Sequence, residues 1–254
     1  MNFNNILFLD IETVSQFETY HHMPADWKDM WDLKANSLIR NSENDTPETV
    51  YHRAGIYAEF GKIICISCGC IQGNGEDKKI VIKSFVGDDE RKLLTDFAEM
   101  MKKWSGDPNK SLCAHNGKEF DYPYICRRMI INGIGIPEAL QIAGRKPWEI
   151  RHLDTMEMWK FGDYKSYTSL KLLAHILGIP SPKDDIDGSM VNSVYWAEKD
   201  LDRIAVYCQK DVVTLAQVLL RMHCQPLIKP EQVEYKPWTT NESITPLAPN
   251  GRLL

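Results

Sequence analysis

The stretch ILFLDIETV (Ile6–Val14) decides how the rest of the chain is read. It is apolar, rich in β-branched residues and too short for a typical helix, so it reads as a strand buried on both faces. Asp10 and Glu12 interrupt it near its carboxyl end. Two apart on a strand, they point to one face with Cα atoms about 6 to 7 Å apart. Burying an unpaired carboxylate is costly, and no basic residue lies near in sequence. The pair is therefore met by basic residues from elsewhere, turned to solvent at an edge, or bound to cations, and spacing alone leaves all three open.

Outward from this strand, residues 15–60 are too long for a simple turn. Trp27, Met30 or Trp31, Lys34 and Leu38 follow helical spacing after Pro24. A second helix is expected from Thr46 as N-cap, Pro47 at the first helical position and Glu48 as a first-turn acid, with Gly61 to stop it. Two short helices cannot support a core of their own, so 15–60 is expected to be a helical insertion packed on the main domain by its aromatic residues. KIICISCGCIQ (62–72) and IVIKSFVG (80–87), joined through Gly-Asn-Gly, make a hairpin. Leu93, Leu94, Phe97, Met100, Met101 and Trp104 predict a helix capped by Asp88 or Asp89 and stopped by Gly106. SLCAHNG (111–117) reads as a fourth strand, Asp121 opens a helix running through Arg128 to Gly133, and HLDTMEMW (152–159) reads as a fifth strand. Helices follow at Leu170 to Leu177, closed by Gly178, and from about Ala197 to Met222. Residues 1–224 thus form one domain, and 225–254 a tail with five prolines, extended, docked or loose. This order predicts an α/β fold, a mixed sheet with helices on both faces, whose ligands sit outside the carboxyl ends of the strands.

At 254 residues, 43% hydrophobic and 26% charged, the composition is that of a globular domain. No apolar run approaches the roughly 20 residues of a membrane span or the about 7 to 15 of a signal-peptide core, so a soluble cytoplasmic protein with no membrane partner is expected. A net charge of -5 argues against a wide footprint on duplex nucleic acid, though not against gripping a strand end. Seven cysteines is an odd count that fits reduced, buried thiols. Cys65, Cys68 and Cys70 spell C-x-x-C-x-C, but a structural zinc site needs a second pair or suitably spaced histidines.

Three further acids draw attention. Asp121 stands before Pro123 and looks like a helix N-cap. Tyr207 and Asp211, four apart on the last long helix, lie about 100° to the side of its apolar stripe, at the margin of the buried face, where a simple hydrogen-bonded pair is common. Asp154 sits on the fifth strand as a decoy. DDIDG (184–188) suggests a calcium loop, but Lys183 and Val194 occupy two positions where that loop requires acids.

Together, Asp10 with Glu12, Asp121 at the end of N-x-x-x-F-D (Asn116–Asp121), and Tyr207-x-x-x-Asp211 resemble the DEDD superfamily of 3′-to-5′ exonucleases. The likeness runs from about residue 6 to 224. It is nearest to the tyrosine subtype, the exonuclease domain of family-B DNA polymerases and stand-alone bacterial relatives; the histidine subtype has His where Val206 stands. The long 15–60 insertion is a departure. The resemblance implies an RNase H-like sheet whose second strand is antiparallel to the rest. It implies two Mg²⁺ or Mn²⁺ ions held by Asp10, Glu12, Asp121 and Asp211, with Asp10 shared between them and Tyr207 orienting the attacking water. Hard divalent ions take oxygen ligands, which explains carboxylates rather than Cys or His. Thr13, Asn116 and Phe120 are expected to contact or shape the substrate end. Lys118 is as readily solvated, and Lys160, Lys165 and Lys171 are candidates for following a phosphate backbone. The activity implied is release of nucleoside 5′-monophosphates from single-stranded or frayed DNA 3′ ends, in repair or in proofreading with a polymerase in trans. The alternatives are an exoribonuclease and a nucleic-acid-binding subunit without catalysis.

Overall fold

Ile6–Ser15 forms β1 and lies in the middle of a six-stranded sheet ordered β5-β4-β1-β2-β3-β6. The computed structural model describes residues 1–39, 44–107, 109–163, 167–180 and 185–238. Lys165, Lys183, Asp184 and the tail beyond 238 lie outside them. β2 (Gly61–Gln72) and β3 (Lys79–Val86) form the expected hairpin, with Gly73 and Gly75 supplying the positive φ its turn needs. β4 (Ser111–Ala114) runs parallel to β1 and β5 (Leu153–Asp154) parallel to β4. Only β2 opposes the other strands.

Alternation along β1 divides the core. Leu7, Leu9 and Ile11 pack under α2 (Glu90–Trp104) and α3 (Asp121–Ile131). Ile6 and Phe8 pack under α7 (Leu201–Met222), against which α5 (Leu170–Ile176) rests. Helices therefore cover both faces, as expected. Asp10 and Glu12 share the α7 face. That helix lies directly on β2: a Cβ at Gly69 would stand 2.8 Å from Val212 Cγ1. The C-x-x-C-x-C motif is split by the same alternation, Cys65 under α7 and Cys68 under α2, so its thiols do not converge.

The structure corrects several boundaries. Among its described residues the insertion has one α-helix, α1 (Ala25–Ala35), and the expected second helix is a turn followed by a 3-10 segment, Tyr51–Ile56. Thr46 does cap its first turn, its hydroxyl accepting from Thr49 N at 3.2 Å. In the 3-10 segment the Gly55 Cα sits against the β1 backbone, where a Cβ would be 3.0 Å from Val14 C. Trp31, fully buried, meets Tyr51 and Phe60 edge to face and ties the insertion together. The fifth strand stops at Asp154, because its carboxylate caps α4 (Thr155–Lys160) by accepting from Met156 N and Glu157 N. The last helix starts at Leu201 rather than Ala197: a single turn, α6 (Val191–Ser193), runs into a π-helical turn ended by Lys199 at φ 56°, and Asp200 then caps α7. The described part of the tail, to residue 238, is docked, with β6 (Val233–Tyr235) pairing parallel to β3. No described helix is long and apolar enough to cross a membrane.

Candidate active site

A β-bulge shapes the carboxyl end of β1. Glu12 pairs with Cys65 but Thr13 pairs with Ile63, so Ile64 is an extra residue that bends the hairpin beside the acidic pair. A buried ion pair locks the bulge from behind: Glu90 accepts from Ile63 N at 2.7 Å and from Arg128 Nε at 2.8 Å, and Arg128 also donates to the Ala58 carbonyl. Arg128 belongs to α3, whose first residue is Asp121. One network thus fixes Asp121 relative to Asp10 and Glu12.

The loop into α3 has its own clamp. Asn116 adopts φ 63°, and its backbone N–H and that of Lys118 donate to the Asp154 carboxylate at 3.0 and 3.1 Å. Asp154 is therefore a structural acid with four backbone donors, two on each side. The residue that caps α3 by position is Phe120, and Asp121 is instead the helix's first residue, its carboxylate accepting from its own backbone and from Ile11. Asp121 thereby turns toward β1.

These elements open onto a cleft of about 1150 Å³ lined by Asp10, Glu12, Asn116, Phe120, Asp121, Tyr207 and Asp211. Seven of the eight residues expected at the site are thus brought together. Thr13 is the exception: it lies on the opposite face of the strand, where its hydroxyl meets that of Tyr124. His115, Tyr167 and His175 also line the cleft and were missed in the sequence. His115 was within reach, since it directly precedes Asn116 in the motif; Tyr167 and His175 carry no local signal. His115 donates from Nε2 to the Thr168 carbonyl at 2.8 Å, its Nδ1 lies 2.9 Å from the Thr155 hydroxyl oxygen, and burial lowers its proton affinity. Lys171 reaches the cleft wall, whereas Lys118 pairs with Glu157.

Acidic groups are concentrated here. Glu12 is 7% exposed and Asp121 4%. Among the described residues, no lysine or arginine is within ion-pair distance of Asp10, Glu12 or Asp121. Burial pushes the Asp10 carboxyl well above the usual carboxylate range, and the charges of Asp121 and Asp211 push it further. Glu12 rises for the same reason, with Asp10 and Asp211 as its neighbours, and burial takes Asp121 up to about 7. Burial followed by the Asp211 charge raises Tyr207, which hydrogen-bonds Asp211 and so remains a phenol. Asp10 accepts from the Cys208 thiol at 3.4 Å. Crowded carboxylates that repel one another, with no described basic side chain at Asp10, Glu12 or Asp121, are suited to hard divalent cations.

The sheet has a known counterpart, and most of the chain matches a known family. Residues 56–240, well over half of the chain, match the family described as predicted 3′-5′ exonuclease related to the exonuclease domain of PolB. The matched segment holds Asp121, Tyr207 and Asp211 and begins after Asp10 and Glu12. No curated protein matches the chain. The fold is similar to the family B DNA polymerase of the hyperthermophilic archaeon Pyrobaculum calidifontis, with TM-score 0.50 and 16% identity over 85% of this chain, which spans only 24% of the polymerase. That likeness bears out the RNase H-like mixed sheet. The chain belongs to the family of predicted 3′-5′ exonucleases related to the exonuclease domain of PolB.

Proposed function

We propose that the protein is a metal-dependent 3′-to-5′ exonuclease of the tyrosine subtype, releasing nucleoside 5′-monophosphates from single-stranded or frayed DNA ends. The observation that carries this reading is the buried pair Glu12 and Asp121 with the partly exposed Asp10, none of the three within ion-pair distance of a described basic side chain, beside Asp211 in an open cleft. Asp10, Glu12, Asp121 and Asp211 would hold two Mg²⁺ or Mn²⁺ ions, which stabilise the attacking and leaving oxygens of a phosphodiester displacement. Tyr207 stays protonated and orients the attacking water from its position against Asp211. Asn116 and Phe120 shape the wall on which the terminal nucleotide rests, and Lys171 lies where a backbone phosphate passes. Nothing in the cleft is assigned to reading a 2′-hydroxyl, so the preference for DNA rests on the family, and that for an unpaired end on a net charge of -5, which argues against the broad basic face that duplex binding uses.

A 5′-labelled oligonucleotide tests it. Purified protein with Mg²⁺ or Mn²⁺ should convert the label stepwise into a descending ladder, and EDTA should abolish this. Activity that persists in EDTA refutes the metal requirement, and immediate release of a labelled mononucleotide refutes the polarity. RNA cut as fast as DNA turns the reading toward an exoribonuclease.

A further inference from the structure

Sulfur lies directly behind the carboxylates that line the cleft. Cys208 is fully buried on α7, beside Tyr207 and one turn before Asp211. Its Sγ lies 3.4 Å from Asp10 Oδ2, and it forms with one oxygen each of Asp10 and Glu12 a group whose atoms all lie within 4.8 Å of one another. A second thiol adjoins it: Cys65, which pairs with Glu12 across the β1–β2 ladder, is in hydrogen-bonding contact with Cys208. Independently, the Glu12 carboxylate is more than nine-tenths buried, lines the cleft and makes no hydrogen bond among the described residues. It is an acceptor left open toward the same point.

Mg²⁺ takes oxygen ligands in near-octahedral geometry and has no use for the sulfur. Zn²⁺ and Cd²⁺ do: mixed sulfur and oxygen donors at tetrahedral corners suit thiophilic divalent ions, with Zn–S about 2.3 Å and Zn–O about 2.0 to 2.2 Å. Donor separations in such a site are about 3.5 Å, so small side-chain rotations bring this group to it. The geometry points to a second, inhibitory mode of cation binding, in which a thiophilic divalent ion is held by Cys208 Sγ, Asp10 and Glu12 and excludes the hard ions. The metal–sulfur bond forms as the S–H bond breaks, the proton leaves to solvent, and no oxidation state changes. The ion enters past Asp10, the partly exposed member of the group. Drawn to the sulfur, Asp10 and Glu12 no longer serve the arrangement that the exonuclease reading needs, and this inference rests on that reading only for its inhibitory consequence.

The test uses chelator-stripped full-length protein carrying Cys224→Ser, which removes the exposed thiol, with and without Cys208→Ser. Cd²⁺ is titrated while the ultraviolet thiolate-to-cadmium charge-transfer absorption is followed, with bound metal counted by equilibrium dialysis. The Cys208-containing protein should develop the absorption at one equivalent, and Cys208→Ser should lose it and bind Cd²⁺ about tenfold or more weakly, since even an outer-shell change typically costs that much. An unchanged band in Cys208→Ser, or no band in its parent, overturns the inference. If circular dichroism shows Cys208→Ser unfolded, Glu12→Gln replaces it and must weaken Cd²⁺ by a similar factor; unchanged affinity is equally fatal. In the nuclease assay, Cd²⁺ should arrest the Mg²⁺-supported reaction of the Cys208-containing protein and a dithiol chelator should restore it. A band without any Mg²⁺-supported cleavage sinks the exonuclease reading and leaves the site standing, whereas cleavage without a band does the reverse.

Discussion

Replacing Asp121 by Asn should stabilise the metal-free protein, and increasingly so as pH rises. Asp121 is 4% exposed and its carboxyl is pushed by burial from the ordinary 3.8 up to about 7. A folded-state pKa above the unfolded one means that the native chain binds the extra proton between these values. The stability it contributes is fully present below about pH 4 and is lost as pH rises through about 7. At 1.36 kcal/mol per pKa unit, forcing this carboxylate to ionise in the folded state costs about 4 kcal/mol, of which about 3 kcal/mol falls between pH 5 and pH 8. Asn is of similar size, stays neutral and keeps a carbonyl oxygen for the Ile11 backbone donor. Its removal of charge also eases Asp10, whose second-largest burden is Asp121. Urea unfolding in EDTA at pH 5 and pH 8 should therefore show Asp121→Asn gaining about 3 kcal/mol on the parent across that range. Added Mn²⁺ should reverse the order at pH 8, since binding to the native state stabilises only a protein that retains the ligand. A stability gap that stays flat with pH, or an Asp121→Asn protein that is weaker at pH 8 without metal, would refute the placement of an unrelieved carboxylate there.

Asp211→Asn or Asp10→Ala should leave the circular dichroism spectrum intact and lower the nuclease rate by roughly 10³-fold or more, while Tyr207→Phe, which removes one orienting hydroxyl, should lower it by on the order of 10- to 10³-fold. Full activity in Asp211→Asn sinks the site assignment. Arg128→Met should destabilise the fold by about 3 to 5 kcal/mol in urea, because Glu90 is left buried without its cation; a loss below about 1 kcal/mol would show that the network behind the bulge is not what holds it.

What the sequence made legible followed from period and punctuation. The apolar run of β1, the matched hairpin strands around Gly73 and Gly75, and the stripe of α2 under Asp89 are local patterns, and each element formed close to where those patterns place it. The misses arose where a distant partner decides. HLDTMEMW alternates as a strand does, but Asp154 finds the free N–H groups of Met156 and Glu157 and turns the chain into α4. Val194–Glu198 continues the helical pattern of α7, yet a left-handed Lys199 interrupts it. Thr13 follows the D-x-E pair directly, and alternation alone puts it on the other face. The bulge between Glu12 and Thr13 has no mark in the sequence, because its cause, Glu90 accepting from Ile63 N, lies 27 residues away.

The same distance effect explains why four buried acids that look alike in the sequence fall into two kinds. Glu90 and Asp154 are neutralised within the fold, the first by Arg128, Asn132 and the Ile63 amide, the second by four backbone amides. Glu12 has no hydrogen bond among the described residues, and Asp121 has two backbone donors, too few to offset its burial. A protein under selection for stability alone has an inexpensive remedy, since an amide or an apolar side chain at either position removes the penalty. Retaining two ill-served carboxylates beside Asp10 and Asp211 is thus a local conflict of the kind that marks a functional site, while the two well-served acids hold the bulge and the loop that aim them. Reading the sequence singles out Glu12, Asp121 and Asp154 but passes over Glu90. Only the partners separate those that build the site from those that would bind within it.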